Sequence, residues 1–169
     1  LVAEVAVSPE AMAAVRPVAI GETIKDRYVY VEAQGLSPKD GIVTYVQTGH
    51  EGWEGGVSIV AAHLKALCGH AATVERGRLE KTRYVTRPFT GKVFSVSSRF
   101  EVKPVLPISQ PVLFSLKAGD IVVVTDFGIG GFPDENERRA ITEAARYLAL
   151  TVQSNSLNWG FNLLTKWAR

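Results

Sequence analysis

Cysteine is nearly absent from this chain of 169 residues. Cys68 stands alone, which excludes an intramolecular disulfide framework and any cysteine-cluster zinc site. A lone thiol fits a reducing compartment, and the expected location is the cytoplasm. No apolar run approaches the roughly 18–20 residues of a membrane-spanning helix, so no membrane partner is expected. A dominant charge is missing too: 19 Lys and Arg stand against 17 Asp and Glu, a formal net charge of +2. A nucleic-acid partner, which would need basic residues gathered on one face, is not expected. No Lys or Arg precedes Arg16, so the opening LVAEVAVSPEAMAAV lacks the positive start of a signal peptide. Beginning at Leu1, it reads as the interior of a longer chain. Repeats and low-complexity tracts are absent.

What remains is an ordinary globular composition, 46% apolar and 21% charged, enough for the core of about one domain. Residues 1–15 read as a separate helical segment, with Ser8 as N-cap, Pro9 at N1 and Glu10 in the first turn. RPVAI (16–20) reads as a buried strand ending in a turn at Gly21. DRYVYVEA (26–33) is strand again: Tyr28, Tyr30 and Glu32 share one face, and Val29, Val31 and Ala33 the other. QGLSPKDG (34–41) is turn chemistry, and IVTYVQ (42–47) pairs back as a hairpin.

GHEGWEGG (49–56) reads as a glycine-rich connector. VSIVAAHLKAL (57–67) is a helix apolar enough to be mostly buried, with Gly69 as C′. KTRYVT (81–86) and KVFSVSSRFE (92–101) are strands, the second half-buried by its alternation. The prolines of 103–111 make a loop. DIVVVT (120–125) is the best buried-strand signal, followed by the loop DFGIGG (126–131), a helix over 134–147 capped by Asp134, the strand LALTV (148–152) and the start of a helix at WGFNLLTKW (159–167). The second half alternates strand and helix, the sign of a parallel sheet with crossovers. The antiparallel strands of the first half do not fit that sheet.

In an open α/β sheet, ligands sit beyond the carboxyl ends of the strands. Three places qualify: GETIKD (21–26), the pair Gly55-Gly56 and DFGIGG (126–131). Glycines admit a ligand close to the backbone, and a carboxylate accepts hydrogen bonds from hydroxyl groups. Each alone is weak, because glycine after a strand is commonly just a turn.

Taken in order, GETIKDRYVYVEAQGLSPKD, EGWEGGVSIVAAHL, EKTRYV, VVVTDFGIGGF and QSNSLNWGFNLLTKW resemble the PfkB (ribokinase-like) carbohydrate kinases. The branch they are most similar to is that of heptose-phosphate-kinase-like domains, often fused to a nucleotidyltransferase. The resemblance covers most of residues 16–169. It implies a ribokinase-like α/β fold, a parallel sheet flanked by helices with a small antiparallel β lid, of which this chain holds the substrate-side part. Lid strands would fall within about 26–47 and 81–101. It implies that Asp26 binds sugar hydroxyls, that Gly55 and Gly56 lie under the sugar, and that Lys81 and Arg83 face a substrate phosphate. Asp126 would sit near the transferred phosphoryl group, and Asn155 and Asn158 would lead toward the nucleotide half. ATP and Mg2+ are the implied cofactors, a sugar or sugar phosphate the implied substrate, and a homodimer through the lid strands the implied assembly.

The departures are as specific. The family's G-A-G-D motif, which supplies the catalytic base, has no counterpart here, and Ile129 replaces the Lys or His common after Asp126-Phe127-Gly128. Phosphoryl transfer works by positioning and charge neutralisation around a metal-held nucleotide. This chain by itself is therefore expected to be inactive. The alternatives are a non-catalytic sugar-binding or dimerisation module, and an unrelated doubly wound nucleotide-binding protein.

Other readings are plainer. DFG without its kinase partner motifs is chance, and GHEGWEGG is no phosphate-binding P-loop. His50, His63 and His70 show no zinc spacing, and His63 reads as a core residue. Cys68 reads as a packed thiol. Lys81 and Arg83 share strand parity, and a solvated face competes evenly with phosphate binding. Trp159, Phe161 and Trp167 read as core rather than a base-stacking platform.

Overall fold

The computed structural model describes residues 8–86, 91–97, 121–154 and 162–167. Helix α1 (Pro9–Ala14) starts as its sequence requires: Ser8 Oγ accepts from Ala11 N at 3.2 Å, and Pro9 needs no hydrogen-bond acceptor at N1. Strand β1 (Pro17–Leu36) runs unbroken for 20 residues, about 65 Å of extended chain. It is followed by β2 (Val43–Gly56), α2 (Val57–Cys68), β3 (Ala72–Thr86) and β4 (Gly91–Ser97). Then come β5 (Ile121–Asp126), α3 (Glu135–Ala144), β6 (Leu148–Val152) and a 3-10 turn at Leu164–Trp167.

The six strands of the described residues form one sheet, in the order β4-β3-β1-β5-β6, with β2 also on β1. Strand β3 runs parallel to β1 along one edge, from Val18↔Ala72 to Val31↔Thr86. The other edge of β1 is divided. Pro17–Gly21 pair in parallel with β5, and Thr23–Leu36 pair antiparallel with β2. The lower half belongs to a packed α/β core and the upper half to a lid. The core gathers Val18, Ile20, Val122, Val124, Phe132, Ile141 and Trp167. Asp134 caps α3 by accepting from Asn136 N at 2.8 Å. Buried Cys68 closes α2, and Gly69 follows in a left-handed conformation at φ 78°.

Several expectations are corrected. GETIKD is not a loop but the middle of β1, because the ladders of β3 and of β5 and then β2 hold it extended. Gly21 is there for close approach: a Cβ would overlap the Thr125 carbonyl and hydroxyl. GHEGWEGG is not a connector but part of β2, its turn-forming residues overruled by eight paired positions on β1. Strand β3 begins at Ala72, nine residues before its expected start. The antiparallel strands do join the sheet, since long β1 and β3 carry both halves. Helix α2 buries only Val57 and Cys68, while Ile59 and Leu67 are exposed along its outer side, as is His63. Strand β4 is exposed rather than half-buried. Helix α3 stops at Ala144. Of the aromatics expected in the core, Trp167 is buried; Trp159 and Phe161 lie outside the described residues, as does the 103–111 loop.

Candidate functional site

Where β1 passes from β5 to β2, it carries Glu22, whose side chain is fully buried. Its carboxylate accepts from Phe127 N and Gly131 N, each at 2.6 Å, and so clasps both ends of the loop after β5. Gly131 must be glycine, since a Cβ would come within 2.6 Å of Glu22 Cγ. Gly56, at φ 66°, lies against the Glu22 carbonyl and the Phe127 ring and leaves no room for a side chain. The buried carboxylate thus ties β1 to the DFGIGG loop, and the backbone carbonyl of the same residue packs against Gly56.

Burial pushes the Glu22 carboxyl above its ordinary range; the N–H groups of Gly131 and Phe127 oppose the rise, and the Asp126 charge adds to it. The folded protein therefore holds this proton to higher pH than the unfolded chain does. The stability from this group is complete below the unfolded value and is lost as pH rises through the folded one. Glu22→Gln removes the dependence. The excess of wild-type over variant unfolding free energy is expected to grow as pH falls from neutral toward 4.5, checked by urea denaturation across that range.

Above Glu22, alternate residues of β1 return to its face of the sheet: Ile24, Asp26 and Tyr28. Asp26 lies about 13 Å up the strand. Its register partners are Trp53 on β2 and Lys81 on β3, and the next row holds Glu51, Tyr28 and Arg83. Arg83 Nη2 pairs with Asp26 Oδ1 at 2.8 Å, and its guanidinium lies 5.4 Å over the Tyr28 ring. Tyr28 meets Trp53 edge to face at 5.2 Å. Asp26, Lys81 and Arg83 are thus brought together on one lid face. Gly55 and Gly56 lie at the foot of that lid, beside Ile24 and Thr23.

Asp126 lies at the end of β5, 1% exposed and surrounded by donors. Oδ1 accepts from Gly128 N at 2.9 Å and Asn162 Nδ2 at 3.3 Å; Oδ2 accepts from Trp167 Nε1 at 2.7 Å and meets Lys166 Nζ at 2.6 Å. Lys166 also donates to Asn162 Oδ1. The carboxylate pins the 162–167 segment to the sheet, while Lys166 lines a cavity of about 230 Å³ with Gly128, Gly130 and Asn162. Asn155 and Asn158 lie outside the described residues.

In the sequence Glu22 stands out only as a member of GETIKD, and Asn162, Lys166 and Trp167 only within QSNSLNWGFNLLTKW, with no individual role beyond core for Trp167. The one local sign of Glu22 is a carboxylate at the end of the apolar run PVAIG, inside what reads as a turn. Among the described residues no three His, Cys, Asp or Glu side chains gather as metal ligands. Both oxygens of Asp126 are held by protein donors, so this carboxylate by itself does not fit as a ligand for Mg2+.

No family model and no curated protein matches the chain. Solved structures do. Ribokinase from Arabidopsis thaliana, complexed with ribose and ATP, matches with a TM-score of 0.54 at 16% identity, over 84% of this chain and 55% of that one. A carbohydrate kinase from Agrobacterium tumefaciens matches at 0.48 and 13%, over 80% and 53%. A phosphofructokinase-2 mutant from Escherichia coli matches at 0.43 and 15%, over 80% and 53%. The ribokinase match, with the mixed sheet and its lid, makes the fold ribokinase-like. The chain spans about half the length of these structures.

Proposed function

We propose that this chain is the acceptor side of an ATP-dependent carbohydrate kinase, of the heptose-phosphate-kinase-like kind, acting on a sugar or sugar phosphate in the cytoplasm. The observation that carries the reading is the lid face on which Asp26, Lys81 and Arg83 meet, standing over the Gly55-Gly56 pair. Asp26 accepts from sugar hydroxyls. Lys81 and Arg83 take a phosphate. Gly55 and Gly56 let the ligand approach the backbone. Asp126 holds the loop below rather than offering a free oxygen. ATP and Mg2+ belong to the parent activity, and a nucleotidyltransferase domain fits as a fused partner. Helix α1 (Pro9–Ala14) leads into the kinase part.

The closed shell of donors on Asp126 favours one second reading, a sugar-binding module without turnover. Calorimetry separates the two and tests both. Sugar phosphate is expected to bind, and Asp26→Asn to weaken it by roughly 10- to 100-fold through loss of charge-assisted hydrogen bonds. Separate ATP binding would favour the kinase, and none the module. No heat with any sugar phosphate overturns both.

The opposite lid face supports a homodimer. Tyr84, Phe94 and Val96 fall on it, with Tyr84 and Phe94 stacked at 4.3 Å, whereas Val29 and Val31 of the same face are already buried within the chain. Phe94 and Val96 are exposed. Phe94→Glu is expected to convert dimer to monomer in light scattering; a wild-type monomer contradicts the assembly.

A further inference from the structure

Among the described residues of the lid, Trp53 is the most exposed aromatic ring, at 52%. An indole left this open forgoes a large apolar burial, so its position asks for a reason. It sits in the Asp26–Lys81 row, on the Asp26 face, one strand away from the carboxylate. It is also backed by a connected set. Tyr28 contacts its ring, Arg83 covers Tyr28 and donates from Nε to the Tyr28 hydroxyl at 3.4 Å, and Asp26 holds Arg83. These contacts fix the neighbours of the indole before any ligand arrives.

We propose that Trp53 is the stacking residue of the acceptor site. Its indole receives the C–H face of a phosphorylated sugar ring, while the hydroxyls go to Asp26 and the phosphate to Lys81 and Arg83. The inference rests on the acceptor-site reading above and narrows it to a cyclic sugar phosphate. A sugar ring has one flat apolar side and a hydroxylated rim. An aromatic face flanked by a carboxylate and two cations offers complementary surfaces to each part of such a ligand.

The test uses ribose 5-phosphate, fructose 6-phosphate and sedoheptulose 7-phosphate, with ribose and fructose as unphosphorylated controls. Trp53→Ala is expected to weaken the best-bound phosphate about tenfold, and Trp53→Phe to keep affinity within about threefold of wild type. Free sugars are expected to bind more weakly than their phosphates. The ligand is also expected to change tryptophan emission in the wild type but not in Trp53→Phe, a signal that a purely structural role would not give. If Asp26→Asn weakens binding while Trp53→Ala leaves affinity and emission response intact, the stacking role is overturned and the acceptor reading stands. If Trp53→Ala alters only the oligomeric state, the indole is a subunit contact and the proposal is wrong. If no probe binds the wild type, the acceptor reading itself fails, and this inference with it.

Discussion

Arg76→Met is expected to lower the unfolding free energy by about 3–5 kcal/mol, because it takes the guanidinium away from a buried carboxylate. Arg76 is 7% exposed and leaves β3 at the irregularity where Gly21 and Glu22 pair on either side of it. Its Nη2 donates to both oxygens of Glu137, at 2.7 and 2.6 Å, and its Nε to Gly131 O at 3.1 Å. The guanidinium also lies 5.7 Å from the Phe132 ring centre. One side chain thus joins β3, α3 and the far end of the loop that Glu22 clasps. With methionine in its place, Glu137, 8% exposed, loses its cation, and the Gly131 carbonyl loses a donor. A second change, Glu137→Leu, removes the buried negative charge as well. The double variant is expected to recover much of the loss, so a double-mutant cycle by chemical denaturation should show strong coupling. Additive losses would show that the pair is not the joint described.

Gly56→Ala is expected to cost roughly 2–4 kcal/mol and to abolish sugar-phosphate binding. At φ 66° and ψ −136° the backbone is in a region that side chains avoid, and a Cβ would overlap the Glu22 carbonyl. The strain falls on the residue whose carboxylate holds the loop. Gly55→Ala is the control. Its Cβ would meet the Ile24 carbonyl at 3.6 Å, an ordinary contact, and a strand gains slightly from alanine over glycine. Its stability is expected to stay within about 1 kcal/mol of wild type. The two halves of the glycine pair therefore separate: the fold demands glycine at Gly56 and not at Gly55. Thermal or urea denaturation of both variants checks the contrast.

The parts of this fold that could be read in the sequence are those set by local rules. Ser8 and Asp134 cap their helices because their side chains reach backbone N–H groups two or three residues on. Strands β5 and β6 are short apolar runs whose neighbours agree with them. The lid hairpin follows from the alternation of Tyr28 to Ala33 and its partner at 42–47, which pair in the structure as Val31↔Gln47 and Ala33↔Tyr45. What escaped was wherever pairing between distant segments outvotes local chemistry. Gly21, Gly49 and Gly52 signal turns, yet ladders on both sides of β1 keep their segments extended. The same holds for the charged start of β3.

The site divides in the same way. Asp26, Lys81 and Arg83 were named from the resemblance, and register brings them together. Glu22 meets Phe127 across 105 residues, and Asp126 meets Trp167 across 41. No local pattern carries such contacts. Asp126, expected near the transferred phosphoryl group, accepts from four protein donors, fastens the 162–167 segment and lines the cavity beside it.

The most direct test follows the backbone amide signals of the intact chain during titration with a sugar phosphate. The expected result is saturable shifts concentrated at Asp26, Gly55, Gly56 and Arg83, with the Trp53 indole signal moving alongside them. Signals that stay still throughout, or that move only around α3, would contradict a polyol cradle between lid and core.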